Sequence, residues 1–123
     1  MLIWQSMTTL TYDRATKDKC VRNFLELIVL RALQDKPLCG YGIISNIHEK
    51  HNTLFSPGTV YPILTTLEKD KFIVNVGNKK KKIYSLTYEG RDTVANLFKA
   101  YMKILDTNRP QMTEAKMVTT YST

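Results

Sequence analysis

Gly58, Pro62, Thr65 and Lys69 fall on one side of the helix that residues 56–69 predict, with Tyr61 and Thr66 at its flanks. No acid stands among them. Ser56 and Thr59 add hydroxyls at the start of the same stretch. A solvated helix face usually carries Glu and Lys, the better helix formers, rather than Thr, Tyr, Pro and Gly. Small, hydroxyl-bearing and basic groups suit the major groove of DNA, where they meet phosphate oxygens and base edges. A short distance on stand Lys79, Lys80, Lys81 and Lys82. Lysine is a point charge on a flexible stem, so such a run tracks phosphate rather than sequence. The plainer reading of the run is a solvated hairpin tip that discourages edge pairing. Alternate lysines of a strand point to opposite faces, and Lys82, furthest into the strand, can lay its stem on the sheet.

The elements that position these groups follow from periodicity. Ser56 suits an N-cap whose hydroxyl accepts a backbone N–H, and Pro57 suits the first helical position. Val60, Ile63, Leu64 and Leu67 recur at i, i+3, i+4 and i+7, an apolar stripe facing a core. Phe72 to Val76 is β-branched and strand-like, Gly77-Asn78 signals a turn, and Ile83 to Leu86 is a second strand. Pairing Val74 with Ile83 and Ile73 with Tyr84 matches apolar residues across the hairpin and leaves residues 77–80 as a basic tip. Upstream, a largely apolar helix runs from Cys20 to Lys36, where Pro37 ends it. A second helix spans about Tyr41 to His51 and buries Ile43, Ile44 and Ile47. Thr87 can cap a last helix reaching Asp106, on which Val94, Leu97, Tyr101 and Ile104 repeat at 3-4-3 spacing with Phe98 and Leu105 beside them. Tyr61 and Tyr84 each carry two readings: a half-buried core tyrosine, or a ring that packs while its hydroxyl reaches a phosphate.

Three segments in this order resemble the PadR-type transcriptional regulators: Leu38-Cys39-Gly40-Tyr41-Gly42-Ile43-Ile44, then Ser56 to Leu64, then Tyr84-Ser85-Leu86-Thr87-Tyr88-Glu89-Gly90-Arg91. The resemblance covers about Cys20 to Asp106. Cys39 departs from the His often found before the Gly-Tyr pair, a position on which DNA binding does not depend. The resemblance implies a mainly α fold with a small β-hairpin wing: a winged helix-turn-helix over residues 20–87 and a long dimerisation helix over 88–107. Residues 1–19 then form an arm or helical lead-in, and residues 108–123 a mobile tail. It implies double-stranded DNA as partner, with Ser56, Gly58, Thr59, Tyr61, Pro62, Thr65, Thr66, Lys69 and the lysines 79–82 at the contact. It further implies a homodimer through Val94, Leu97, Phe98, Tyr101, Ile104 and Leu105, an inverted-repeat operator, and repression by occupying it. Some members bind small molecules between subunits. Phe98 and Tyr101 are the aromatic candidates for such an effector pocket, with Trp4 if the arm folds back.

Composition agrees with this class and excludes others. The 123 residues suffice for one domain, and 43% hydrophobic with 24% charged residues is ordinary for a globular chain. A net charge of +7 favours a polyanionic partner. The apolar run Leu27 to Leu30 is far short of the roughly 20 residues a membrane span needs, and Met1 to Trp4 lacks the form of a signal peptide, so a cytoplasmic protein is expected. Cys20 and Cys39 read as two reduced thiols. His48 and His51 stand i, i+3 but only Glu49 is near as a third ligand, and it points elsewhere, so no metal or other cofactor is expected. No catalytic arrangement or phosphate loop emerges, which argues against an enzyme. Two rivals remain: a winged-helix protein-interaction module, which would lack the basic face, and a nonspecific, chromatin-like DNA coater.

Overall fold

The computed structural model describes residues 13–111, as five helices and one hairpin. In chain order they are α1 (Arg14–Asn23), α2 (Leu25–Asp35), α3 (Gly40–His51), α4 (Pro57–Lys69), β1 (Ile73–Asn75), β2 (Tyr84–Leu86) and α5 (Tyr88–Thr107). The architecture is a winged helix-turn-helix followed by a long helix. Residues 1–12 and 112–123, including Trp4, most of the expected arm and most of the expected tail, lie outside the described residues.

One apolar core organises the domain. Val29 and Leu30 of α2, Ile43 and Ile47 of α3, Val60, Leu64 and Leu67 of α4 and Ile73 of β1 are all essentially without exposure. Each side chain of this size contributes roughly 1.5–3 kcal/mol by leaving water. Phe55 and Tyr84 complete the floor, and Val94 joins from α5. Leu38 exchanges two backbone hydrogen bonds with Tyr84, at 3.1 and 2.8 Å, so the loop after α2 lies along the free edge of β2.

The start of the chain differs from the expected single helix beginning at Cys20. Helix begins at Arg14, where Asp13 caps it by accepting the Thr16 N–H at 2.8 Å. At Phe24 it kinks into α2, and the Phe24 ring meets the Tyr101 ring of α5 edge-on at 4.8 Å. No Gly or Pro marks this break; it coincides with a tertiary contact. The expected boundary between residues 19 and 20 therefore falls inside α1.

The hairpin register also differs. Ile73 pairs with Leu86, Val74 with Ser85 and Asn75 with Tyr84, two residues beyond the expected partners. A two-residue shift leaves every side chain on its original face, so hydrophobic pattern cannot distinguish the registers. Two asparagines favour the longer one. Asn75 Oδ1 accepts from the N–H groups of Gly77 and Ile83, and Asn78 Oδ1 accepts from those of Lys80 and Lys81. The turn closes where the Asn78 N–H donates to the Lys81 carbonyl at 3.1 Å.

The joint between wing and last helix is tight. Thr87 caps α5 by accepting the Gly90 N–H at 3.0 Å, its own N–H donates to the Phe72 carbonyl at 3.1 Å, and its hydroxyl donates to the Lys71 carbonyl at 2.7 Å with that of Phe72 at 3.1 Å. Gly90 is buried, and a Cβ there would run into that same carbonyl. Gly90→Ala gains helix propensity but must push the Phe72 backbone away. The variant is expected to lose about 1–3 kcal/mol net, as overpacked sites do, measured by urea denaturation. An unchanged midpoint would show that this joint yields freely.

Candidate nucleic-acid interface

Helix α4 stands on its apolar stripe, so its other side is open. Gly58, Pro62, Thr65, Thr66 and Lys69 are exposed, while Thr59, Tyr61 and Ile63 are half-buried. Ser56 occupies the N-cap as expected, but its hydroxyl does not cap. It lies 3.2 Å from the Thr59 hydroxyl, and the first turn is closed by the Ser56 carbonyl, which accepts from Thr59 and Val60. Thr65 and Thr66 donate their hydroxyls back to the carbonyls of Tyr61 and Pro62, at 3.0 and 3.1 Å. What these two threonines offer outward is therefore a lone pair and a methyl, not a proton. Pro62 has no N–H, which frees the Gly58 carbonyl of its helical partner and adds another acceptor to the open face.

The face is not uniform. Pro62 and Thr66 border a shallow groove shared with Ile63, Leu67 and Glu26 of α2. That carboxylate faces a side of α4 which sequence periodicity treats as free of acid. Gly58, Thr65 and Lys69 lie away from it and are the cleaner candidates for an anionic partner.

Tyr61 resolves toward packing. Its ring and hydroxyl occupy the space that a Cβ on Gly40 would need, which locks the first turn of α3 against α4. Burial first, then the nearby Tyr41 and Cys39, hold its phenol above the ordinary value, so it remains a donor. Tyr84 is buried in the core, its phenol raised by burial, by Glu68 and by Tyr61. Tyr41 escaped the sequence reading. It is 68% exposed on the first turn of α3 and sets its ring edge-on to Tyr61 at 6.3 Å. Cys39 caps α3 through its sulfur, 3.3 Å from the Gly42 N–H, a role that asks only for an acceptor.

The wing carries its lysines on a built tip. Lys79 and Lys80 form the turn between Asn78 and Lys81, and all four lysines are exposed, Lys82 included. Four ammonium groups repel one another, and the two asparagine side chains hold the backbone that carries them.

Helix α5 divides into two halves. Gly90 and Val94 are buried, Leu97 packs on the core and Tyr101 is taken up by Phe24. Val94 accordingly belongs to the core of its own domain rather than to an outer seam. Beyond Tyr101 every described residue is exposed, including Met102, Ile104 and Leu105, each more than half. Phe98 is 56% exposed and, with Leu27, Ala32 and Ala95, lines a concavity of about 410 Å³ rimmed by Arg31, Lys50 and His51. Tyr101 does not line this concavity.

A family model described as the transcriptional regulator PadR-like family matches residues 29–96. Among solved structures, a transcriptional regulator from Clostridium thermocellum superposes with a TM-score of 0.65 at 22% identity, covering 72% of this chain and 93% of that one. A PadR family transcriptional regulator from Eggerthella lenta DSM 2243 gives 0.64 at 18% identity, over 87% of this chain and 93% of its own. A PadR-like transcription factor from Bacteroides fragilis gives 0.60 at 24% identity, over 76% and 94%. At these identities the likeness is one of fold. No curated protein sequence matches the chain.

Among the described residues no group of three His, Cys, Asp or Glu converges, at the end of α3 or elsewhere. His51 is instead pressed below its ordinary value of 6.5, by burial and then by the charges of Lys17 and Lys50. The folded protein resists protonating it. Its contribution to stability is full above 6.5 and is lost as pH falls through and below that value. Stability by urea denaturation should fall over this interval in the parent protein and fall less in His51→Gln. Equal pH dependence in both would assign the effect to other groups.

Proposed function

Because the chain belongs to the PadR-like family of transcriptional regulators, we propose that it is a sequence-specific, homodimeric DNA-binding repressor of the cytoplasm that occupies an inverted-repeat operator. The observation that carries this reading is the pairing of an open polar α4 face with a lysine tip on the adjoining wing. Helix α4 enters the major groove with Ser56, Gly58, Thr59 and Thr65 toward base edges and Lys69 toward phosphate. Tyr61, Pro62 and Thr66 line the helix edges, Tyr41 adds a hydroxyl at the backbone, and Lys79, Lys80, Lys81 and Lys82 follow the flanking strand. With their protons turned inward, Thr65 and Thr66 favour bases that donate, or the thymine methyl. The basic face weighs against a protein-interaction module.

The distal half of α5 supports the dimer. Its 20 residues extend about 30 Å, further than the domain beneath can cover. Phe98, Met102, Ile104 and Leu105 would stand in water on a monomer, and a second copy of the same stripe suits them. Among the described residues no helix is long and apolar enough to cross a membrane. A two-fold pair presents two α4 helices to one side of the duplex, with half-sites about one helical turn or a multiple apart.

Two outcomes are expected. Replacing Lys79, Lys80 and Lys81 by Ala should weaken binding to all sequences and flatten the dependence of log Kd on log salt by about one for each phosphate that is no longer neutralised. An unchanged slope would remove the wing from the DNA-binding surface. Phe98→Asp with Ile104→Asp, both exposed on the protomer, should leave the domain folded but monomeric by sedimentation. A parent protein that sediments as a clean monomer at tens of micromolar would sink the dimer.

A further inference from the structure

Helix α1 lies against the turn that introduces α4. The Thr53 hydroxyl, in a residue only 5% exposed, donates to the Asp18 carboxylate at 3.0 Å. Val21 is buried beside it. One residue on, the Arg22 guanidinium lies over the Phe55 ring, 5.1 Å from its centre. Phe55 is buried and immediately precedes Ser56, the N-cap of α4. Lys19 stands i−3 from Arg22 and so shares its flank. Lys17 occupies the other flank, close enough to His51 to lower its proton affinity.

We propose that this flank of α1, Arg22 with Lys19 beside it, is a second DNA-backbone contact, placed beside the turn from which α4 starts. The inference rests on the DNA-binding reading above. A helix with its side chains is about 10–12 Å across and fills a major groove of about 12 Å, so groups just beyond its edge meet phosphates. The guanidinium, held over the buried Phe55 ring on an exposed residue, keeps donors free that can grip a phosphate with two bonds. Arg22 takes part in none of the ion pairs among the described residues, which join Arg31 and Lys50 to Asp35 and Arg109 to Asp106. Of the acids nearby, Asp18 is engaged by Thr53, and Glu26 lies one turn further along, beside Pro62 and Thr66. The two cations of this flank thus sit where α4 begins, with Asp18 turned to Thr53 and Glu26 where α4 has moved on.

The test compares full-length parent, Arg22→Gln, Lys19→Gln and Lys17→Gln, with binding to a fluorescent duplex of mixed sequence read across a salt series. Arg22→Gln should weaken binding about tenfold or more and flatten the salt slope by about one per protomer. Lys19→Gln should flatten it too, by less, and Lys17→Gln should match the parent. Unchanged slopes in both Arg22→Gln and Lys19→Gln overturn the proposal. A lowered melting temperature in Arg22→Gln with the parental slope would also overturn it, since Arg22 would then only shield Phe55. Should Arg22→Gln fail to fold, the slope of Lys19→Gln decides alone. Failure of the parent reading looks different: neither the parent nor the wing-lysine variant would then show salt-dependent binding.

Discussion

The angle between the two helices of the helix-turn-helix depends on one close approach. The Tyr61 ring of α4 lies where any residue but glycine at position 40 would place its Cβ. The apolar stripes of α3 and α4 supply the adhesion, but many crossing angles could bury isoleucines and leucines about equally. The ring against the bare backbone of Gly40 selects one. It also sets what stands at the surface, because Tyr61 turned inward leaves Tyr41 outside and brings the first turn of α3 level with the open face of α4. The polar groups proposed to meet DNA are thus arranged by a contact between the two helices that carry them.

A second joint carries that arrangement to the rest of the molecule. The Phe72 carbonyl, just past α4, accepts from Thr87 at the start of α5 and presses on Gly90. Wing, α4 and α5 therefore leave one point with fixed directions. A protomer joined to its twin along the outer half of α5 would hold its α4 helix at a set distance from the partner's. In this account operator spacing is a property of the Thr87–Gly90 joint as much as of the seam.

Much of this was legible in the chain, and the exceptions have identifiable causes. The start of α4 was visible because Pro57 and the stripe from Val60 to Leu67 are local signals, as was the Thr87 cap. The hairpin register was not, since a two-residue slip conserves the alternation of faces and the arbiters are the side chains of Asn75 and Asn78. The kink at Phe24 leaves no local mark; its ring meets Tyr101, distant in sequence. Periodicity made one stripe of Val94, Leu97, Tyr101 and Ile104, with Phe98 and Leu105 beside it, yet it could not say where the domain beneath α5 stops. The domain takes Val94 and Tyr101, and Met102 joins the uncovered part. At the candidate interface, residue types announced the polar face of α4, while Tyr41, Glu26 and Arg22 became visible only when α1, α2 and α3 were packed around it.

The central claim is that this surface reads DNA sequence as a two-fold pair. Selection of bound fragments from a random duplex pool, with the full-length protein at moderate salt, tests it most directly. The account predicts enrichment of an inverted repeat whose half-sites lie about one helical turn, or a multiple, apart. Bound fragments with no shared motif would contradict it and leave a nonspecific DNA coater.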